Sequence, residues 1–291
     1  MASGGPPQVA GLSRRGSKLL GDRRAVLVST TSTIVFFGLV AVAIALAPGS
    51  RAVAEDFFSW EAMKEAFSGT ETTPSIASAF LLNVRIFLVA EVLILVLALL
   101  IAVVRMTPGP VFAPLRIVAV AYTDLFRGVP LLLVIYVMGF GIPGLEIRGI
   151  SDQSPVVLGG AALVLSYSAY VAEVYRAGIE SVHDSQVAAA RSLGLSRGQS
   201  MRYVVLPQAV RRVVPPLLND FIGLQKDTAL VAVLGPIEAA RAASIYGADR
   251  FNYSSFVVAA LMFLALTIPL ARFTDRLVAK DRRRRRGGAI A

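Results

Sequence analysis

The chain has no cysteine, a single histidine and a single tryptophan in 291 residues. Without thiols it can form neither a disulfide nor a thiolate metal site. The lone His183 cannot supply the histidine pair of a zinc protease. No glycine is followed by lysine, so the phosphate-cradling Gly-x-x-x-x-Gly-Lys-Ser/Thr loop is missing. No serine is read as a hydrolase nucleophile, and His183, in a polar stretch, is expected to cap a helix or be solvated. The chain is not expected to be an enzyme. Charge is sparse as well: 16% of residues are charged, against 55% hydrophobic, with a clearly positive mean hydropathy. Those values exclude an ordinary soluble domain.

What is present is a set of long apolar runs at about 26–47, 79–104, 117–140, 156–178, 212–235 and 254–273, each long enough to cross a bilayer as a helix. The reading is an all-α membrane protein. The first run ends at Pro48-Gly49 and is too long for the apolar part of a cleaved leader, so it is expected to stay as a span. The fifth is interrupted by Asp220, Lys226 and Asp227. Between the first two runs, Phe57 to Phe67 carries apolar residues at helical spacing, which fits a short helix at the membrane interface or packed in a linker.

Lys and Arg are unevenly placed. Residues 1–25 hold Arg14, Arg15, Lys18, Arg23 and Arg24 against Asp22, whereas loop 48–75 holds only Arg51 and Lys64 against five acids. Over alternate loops and their flanks, 21 of the 29 Lys and Arg fall on the side shared by both termini and 5 on the other. By the positive-inside rule both termini are expected in the cytoplasm. The net charge of +10 and the Arg282–Arg286 run raise nucleic-acid binding. No aromatic-interleaved patch or DNA-binding motif accompanies them, so the run is read as a lipid-facing topology anchor.

The loop at about 179–211 is more structured than a plain connection. Ser185 is read as the N-cap of a short helix, Gly194 as its left-handed end, and Ser196 with Gln199 as a capping box opening a second helix. With Gln186, Ala188, Ala189, Ala190, Arg191, Gly194 and the later Leu206-Pro207, this loop resembles the ATPase-coupling loop of ABC-importer permeases. Phe126-Arg127-Gly128-Val129-Pro130-Leu131-Leu132, Lys226-Asp227-Thr228-Ala229-Leu230, Pro207-Gln208-Ala209, Pro215-Pro216 and Asn219 narrow the resemblance to the polar amino-acid permeases, over about Ile76 to Lys280. The departures are His183 and Ser185, where the family has Pro and Gly, and Ala188, where it has an acid. Counted from Ser185, Ala188 stands at the third helical position and forfeits a reciprocal cap bond, costing about 1 kcal/mol or less.

The resemblance implies the type I ABC importer permease fold, with five core transmembrane helices and one extra N-terminal transmembrane helix. By the resemblance 76–280 is the permease domain; by composition, hydropathy and charge 1–25 is expected as a disordered basic tail, 26–47 as the extra helix, 48–75 as an extracytoplasmic loop, and 281–291 as a basic tail. The resemblance further implies a prokaryotic plasma (inner) membrane, two cytoplasmic ATP-binding subunits that hold ATP and Mg, a second permease subunit, and an extracytoplasmic solute-binding protein. No cofactor or metal is expected in this chain. The solute would be a polar amino acid of the glutamate/glutamine type, moved by alternating access. Two alternatives stay open: an ion-coupled secondary transporter with Glu91 or Asp227 carrying the proton, or the same architecture with another small polar solute.

Polar residues within spans are costly and ask for a reason. Asp124 and Arg127, one turn apart, have the spacing of an ion pair, with Gly128 and Pro130 breaking the helix beside them; the four are assigned either to that structural role or to the translocation path, near which the resemblance places them. Glu91 has no local partner and is read as facing the cavity, pairing across helices, or being protonated. Asn219, Lys226, Asp227 and Thr228 are assigned either to the translocation path or to pairing between helices. Glu173 and Arg176 are expected to form an ion pair near the cytoplasmic end of their span.

Overall fold

The computed structural model describes residues 23–287, with side chains described from 26 to 279. The tails expected at 1–25 and 281–291 lie mostly outside those limits. The described residues fall into two compact units that divide between Asp56 and Phe57. In the first, α1 (Arg23–Ala45) carries no charge from Val26 to Ala45, and within its hydroxyl-bearing run at 29–33 Thr30 and Thr33 donate back to carbonyls one turn earlier; α2 (Ser50–Phe58) follows the Pro48-Gly49 break. An uncharged, largely hydrophobic helix of this length is suited to lipid.

The second unit is a helical bundle. Helix α3 (Trp60–Ser68) is capped by Ser59 and ended by Gly69, and buries only Ala66. Helix α4 (Ile76–Met106), capped by Ser75, has 31 residues and so spans about 46 Å. Its outer face exposes Leu88, Val92, Val96, Leu99 and Val103, while Ala90, Ile94, Ala98 and Ala102 form a buried stripe. The alanines in this stripe let a neighbouring helix come close, and α7 packs against it through Ala162, Leu163, Val171 and Ala172.

Helix α5 (Ala113–Gly128) stops where Val129 and Pro130 take extended conformations. Helix α6 (Leu131–Tyr136) then leaves at 108°, continuing through a wider turn at Val137–Gly141. The break read at Gly128 and Pro130 is therefore sharp. Helix α7 (Pro155–Glu180), capped by Ser154, is the central element and contacts α4, α5, α6 and α10. At Gly178 a Cβ would overlap the side chain of Val213, so glycine there sets how closely α10 can lie.

Two short helices follow, α8 (Asp184–Ser192) and α9 (Arg197–Ser200), and then α10 (Leu206–Asp227). The chain stays helical from α9 through a wider turn at Met201–Val205 into α10, so Pro207, without an N–H, follows directly on that wider turn. The helix also runs on through Pro215 and Pro216 rather than ending there. A tightly wound 3₁₀ stretch at Thr228–Leu234 continues α10 before α11 (Ala239–Arg250), bent from it by 52°, and α12 (Ser254–Gly287) closes the unit. One apolar core lies among α4, α6, α7 and α10, and a second among α3, α4, α11 and α12. Among the described residues, helices α1, α4, α7 and α12 are long and apolar enough to cross a membrane; counting each bent pair as one span raises the number to six.

Candidate functional site

The segment after α7 is held at both ends by caps. His183, not Ser185, is the N-cap of α8: its Nδ1 accepts from the Ser185 N–H at 3.2 Å. The expected numbering of this helix is corrected accordingly. Burial of Val182 pins the chain leaving α7, so α8 begins two residues early with Asp184 favourably in its first turn. Ala188 therefore stands at the fifth helical position, and no cap bond is forfeited there. Gln186 takes the third position, and its side-chain oxygen accepts instead from Gln208 Nε2 of α10 at 2.6 Å.

Gly194 has φ of 85° and ends α8 with two carbonyl bonds. Its own N–H reaches Arg191 O at 3.0 Å, and that of Leu195 reaches Ala190 O at 3.2 Å. Ser196 and Gln199 form the full capping box of α9, with bonds of 2.8 and 3.2 Å. The five letters Gly194-Leu195-Ser196-Arg197-Gly198 also match a serine-hydrolase elbow. Ser196 is nevertheless an N-cap bonded to Gln199, and His183 is bonded to Ser185, so neither is set up as a nucleophile or base. Ala188, Ala189 and Arg191 face outward, Ala190 is buried, and Leu206-Pro207 starts α10.

The in-span polar residues separate into several places. Asp124 and Arg127 do not form the expected ion pair, and both are exposed. Arg127 turns across to α7, its guanidinium 6.0 Å from the Tyr170 ring, while the Tyr170 hydroxyl donates to the Arg127 carbonyl at 3.2 Å. The long guanidinium stem reaches an aromatic face that the short Asp124 side chain cannot. Glu91 lines a cavity of about 380 Å³ with Leu217, Phe221, Phe273 and Thr274, beside α10, where Asp220 keeps one buried carboxylate oxygen without a partner. Asp227 accepts from the Tyr167 hydroxyl at 2.7 Å, and Thr228 is fully buried against Asn83. Lys226 and Asn219 are exposed.

Three groupings were not read from the sequence. Asn83 on α4 donates to Glu238 at 2.8 Å and to Thr228 at 3.2 Å, and accepts from the Ala239 N–H at 3.0 Å. Glu238 is fully buried and caps α11 through the N–H groups of Ala240 and Arg241. Tyr167 is the partner that Asp227 needed on another helix. Arg105, at the end of α4, bonds Glu173 at 2.8 Å and Thr123 at 3.1 Å. The expected pair of Glu173 with Arg176 is present and extends to Glu180. A polar residue in an apolar run was the signal available for Asn83. Glu238 and Arg105 carried no comparable local signal, since their partners lie 155 and 68 residues away.

The family described as the binding-protein-dependent transport system inner membrane component matches residues 111–283. The chain belongs to that family. A relative in Bacillus subtilis (strain 168), the probable glutamine ABC transporter permease protein GlnM, is 39% identical over 182 residues, covering 60% of this chain and 79% of its own. The glutamate transport system permease protein GluC of Corynebacterium glutamicum is 32% identical, covering 71% and 96%. Among solved structures, an amino acid ABC transporter crystallised with histidines aligns at a TM-score of 0.65 and 29% identity, over 70% of this chain and 93% of that one. As a member of this family the chain is a permease subunit with the type I importer fold.

Proposed function

We propose that this permease imports polar amino acids of the glutamine and glutamate type, driven by two separate ATPase subunits that hold ATP and Mg. It would work beside a second permease subunit, in a prokaryotic plasma membrane with both termini cytoplasmic, and receive solute from an extracytoplasmic binding protein. The solute class follows the similarity to GlnM and GluC.

The observation that carries the mechanism is the doubly capped pair α8 and α9. A short helix stopped by a left-handed glycine and followed at once by a capping box is a stiff unit, and it is joined to α10 through Gln186 and Gln208. A stiff unit can pass on a push that a floppy loop would absorb. Gln186, Ala188, Ala189, Ala190, Arg191, Gly194, Leu206 and Pro207 are assigned to the ATPase contact and its support. The broken helix at Gly128 and Pro130, with Arg127 beside it, is assigned to the path, where irregular backbone is tolerated if it lines a cavity. Asp124, Asn219 and Lys226 lie exposed on path helices, Glu91 lines a cavity, and Asp227 and Thr228 hold helices together.

The test is uptake by proteoliposomes containing the permease, its ATPase and its binding protein. ATP inside should drive accumulation of glutamine or glutamate against a gradient. Accumulation that follows an imposed proton or Na⁺ gradient without ATP would overturn the reading in favour of an ion-coupled carrier.

A further inference from the structure

We propose that Arg105 is a positioning residue that ties the broken helix α5 to the α8–α9 unit, so that movement of that unit is delivered to the break at Gly128–Pro130. The proposal rests on the reading above that α8 and α9 receive the ATPase stroke.

Arg105 sits in the last turn of α4, and one of its nitrogens, Nη1, serves two other helices at once. It donates to Thr123 Oγ1 of α5 at 3.1 Å and to Glu173 Oε2 of α7 at 2.8 Å. The site is largely dry: the Arg105 side chain is 13% exposed, Glu173 21%, and Thr123 is fully buried. Glu173 is shared, because Arg176 Nε meets the same oxygen at 3.2 Å and Arg176 Nη2 meets the other. Arg176 then reaches Glu180. Glu180 is the last residue of α7, and the carbonyl of the next, Ser181, accepts from Arg212 of α10. Two residues beyond that stands His183, the cap of α8.

These contacts make one continuous run. From the α8 cap it passes along the last two turns of α7, through Glu173 to Arg105, and on to Thr123. Thr123 is one turn before Arg127 on the same helix, so a displacement at Thr123 reaches the break directly. The four charges, Arg105, Arg176, Glu173 and Glu180, cancel, which lets the cluster be half-buried without a net charge in an apolar setting. Tyr122 and Tyr170 also join α5 to α7, but each meets a main-chain carbonyl. Arg105 is the side chain that binds both helices from a third. Lysine would match the charge, but its freely rotating ammonium does not hold two hydrogens in fixed directions as the planar Nη1 amino group does.

The measurement is solute imported per ATP hydrolysed, in proteoliposomes with ATPase and binding protein. Arg105→Met is expected to keep binding-protein-stimulated ATPase within about twofold while the ratio falls on the order of tenfold. Thr123→Val should lower the ratio by about two- to threefold, and Arg105→Lys should recover part of the loss. A merely structural role would reduce uptake and ATPase together with the amount of assembled complex, leaving the ratio unchanged, and that result would overturn the tie. If Arg105→Met fails to assemble, unchanged ratios in both Arg105→Lys and Thr123→Val overturn it equally. A wild-type complex whose ATPase ignores loaded binding protein overturns the proposed function and the tie with it. An unchanged ratio in the variants overturns the tie alone.

Discussion

Asn83 on α4 and Glu238 at the start of α11 are joined by a 2.8 Å bond within the buried interior, 155 residues apart in sequence. Asn83 also accepts the N–H of Ala239 and donates to Thr228, so one amide fixes both the tightly wound stretch after α10 and the first turn of α11. Glu238 accepts from two backbone N–H groups of α11, which places its charge at the favourable end of that helix.

Removing either partner leaves the other buried with a bond unmade. Asn83→Ala is expected to lower stability by about 2 kcal/mol. The measurement is thermal unfolding of the purified permease, with the cycle closed by Glu238→Ala and the double variant. A coupling of about 1–3 kcal/mol is expected, since the two groups share one network. Strictly additive losses would show that the contact contributes no stability of its own.

Gly194 offers a second test, because nothing lies within 4 Å of where its Cβ would be. Any cost of substitution there is backbone conformation, not crowding. Gly194→Val should lose about 1–2 kcal/mol at φ of 85°, unwinding the end of α8, whereas Gly194→Asn should lose much less. In the assembled complex, Gly194→Val should abolish the ATPase response to loaded binding protein and Gly194→Asn should keep it. Equal responses in the two variants would mean that the geometry of the α8 end is not used in coupling.

Arg127 is free of the acidic partner expected for it, which simplifies the question of whether it meets solute. Asp124→Asn should leave uptake near wild type, since no ion pair is lost. Arg127→Lys keeps the charge but loses the two-bond fork that fits a carboxylate, and should raise the half-saturating solute concentration about tenfold or more. Transport kinetics on reconstituted complex decide this. Wild-type saturation in Arg127→Lys would remove Arg127 from the solute path.

The spans were legible because hydropathy is a property of contiguous residues, and the capping box at Ser196 and Gln199 because it is complete within four. The cap of α8 was misread because Ser185 is the better cap by residue type. The exit of the chain from α7 past buried Val182 decided for His183 instead. Asp124 and Arg127 have the spacing of a pair, yet Tyr170 on another helix competes for the guanidinium. Helix α11 was missed because its buried face is alanine and glycine, with Tyr246 the one large side chain there, which leaves little hydropathy signal. Long-range polar contacts such as Asn83 with Glu238 and Arg105 with Glu173 exist only once the helices are packed.

The account stands or falls on α8 meeting an ATPase at the inner face. The chain contains no cysteine, so a single Ala189→Cys, exposed on α8, can be probed without background. In intact cells it should resist a membrane-impermeant maleimide that labels Ser68→Cys at the end of α3. In opened membranes it should label, and cross-link to the ATPase subunit with loss of binding-protein-stimulated hydrolysis. Labelling of Ala189→Cys from outside intact cells, or a cross-linked complex that still responds to loaded binding protein, would contradict it.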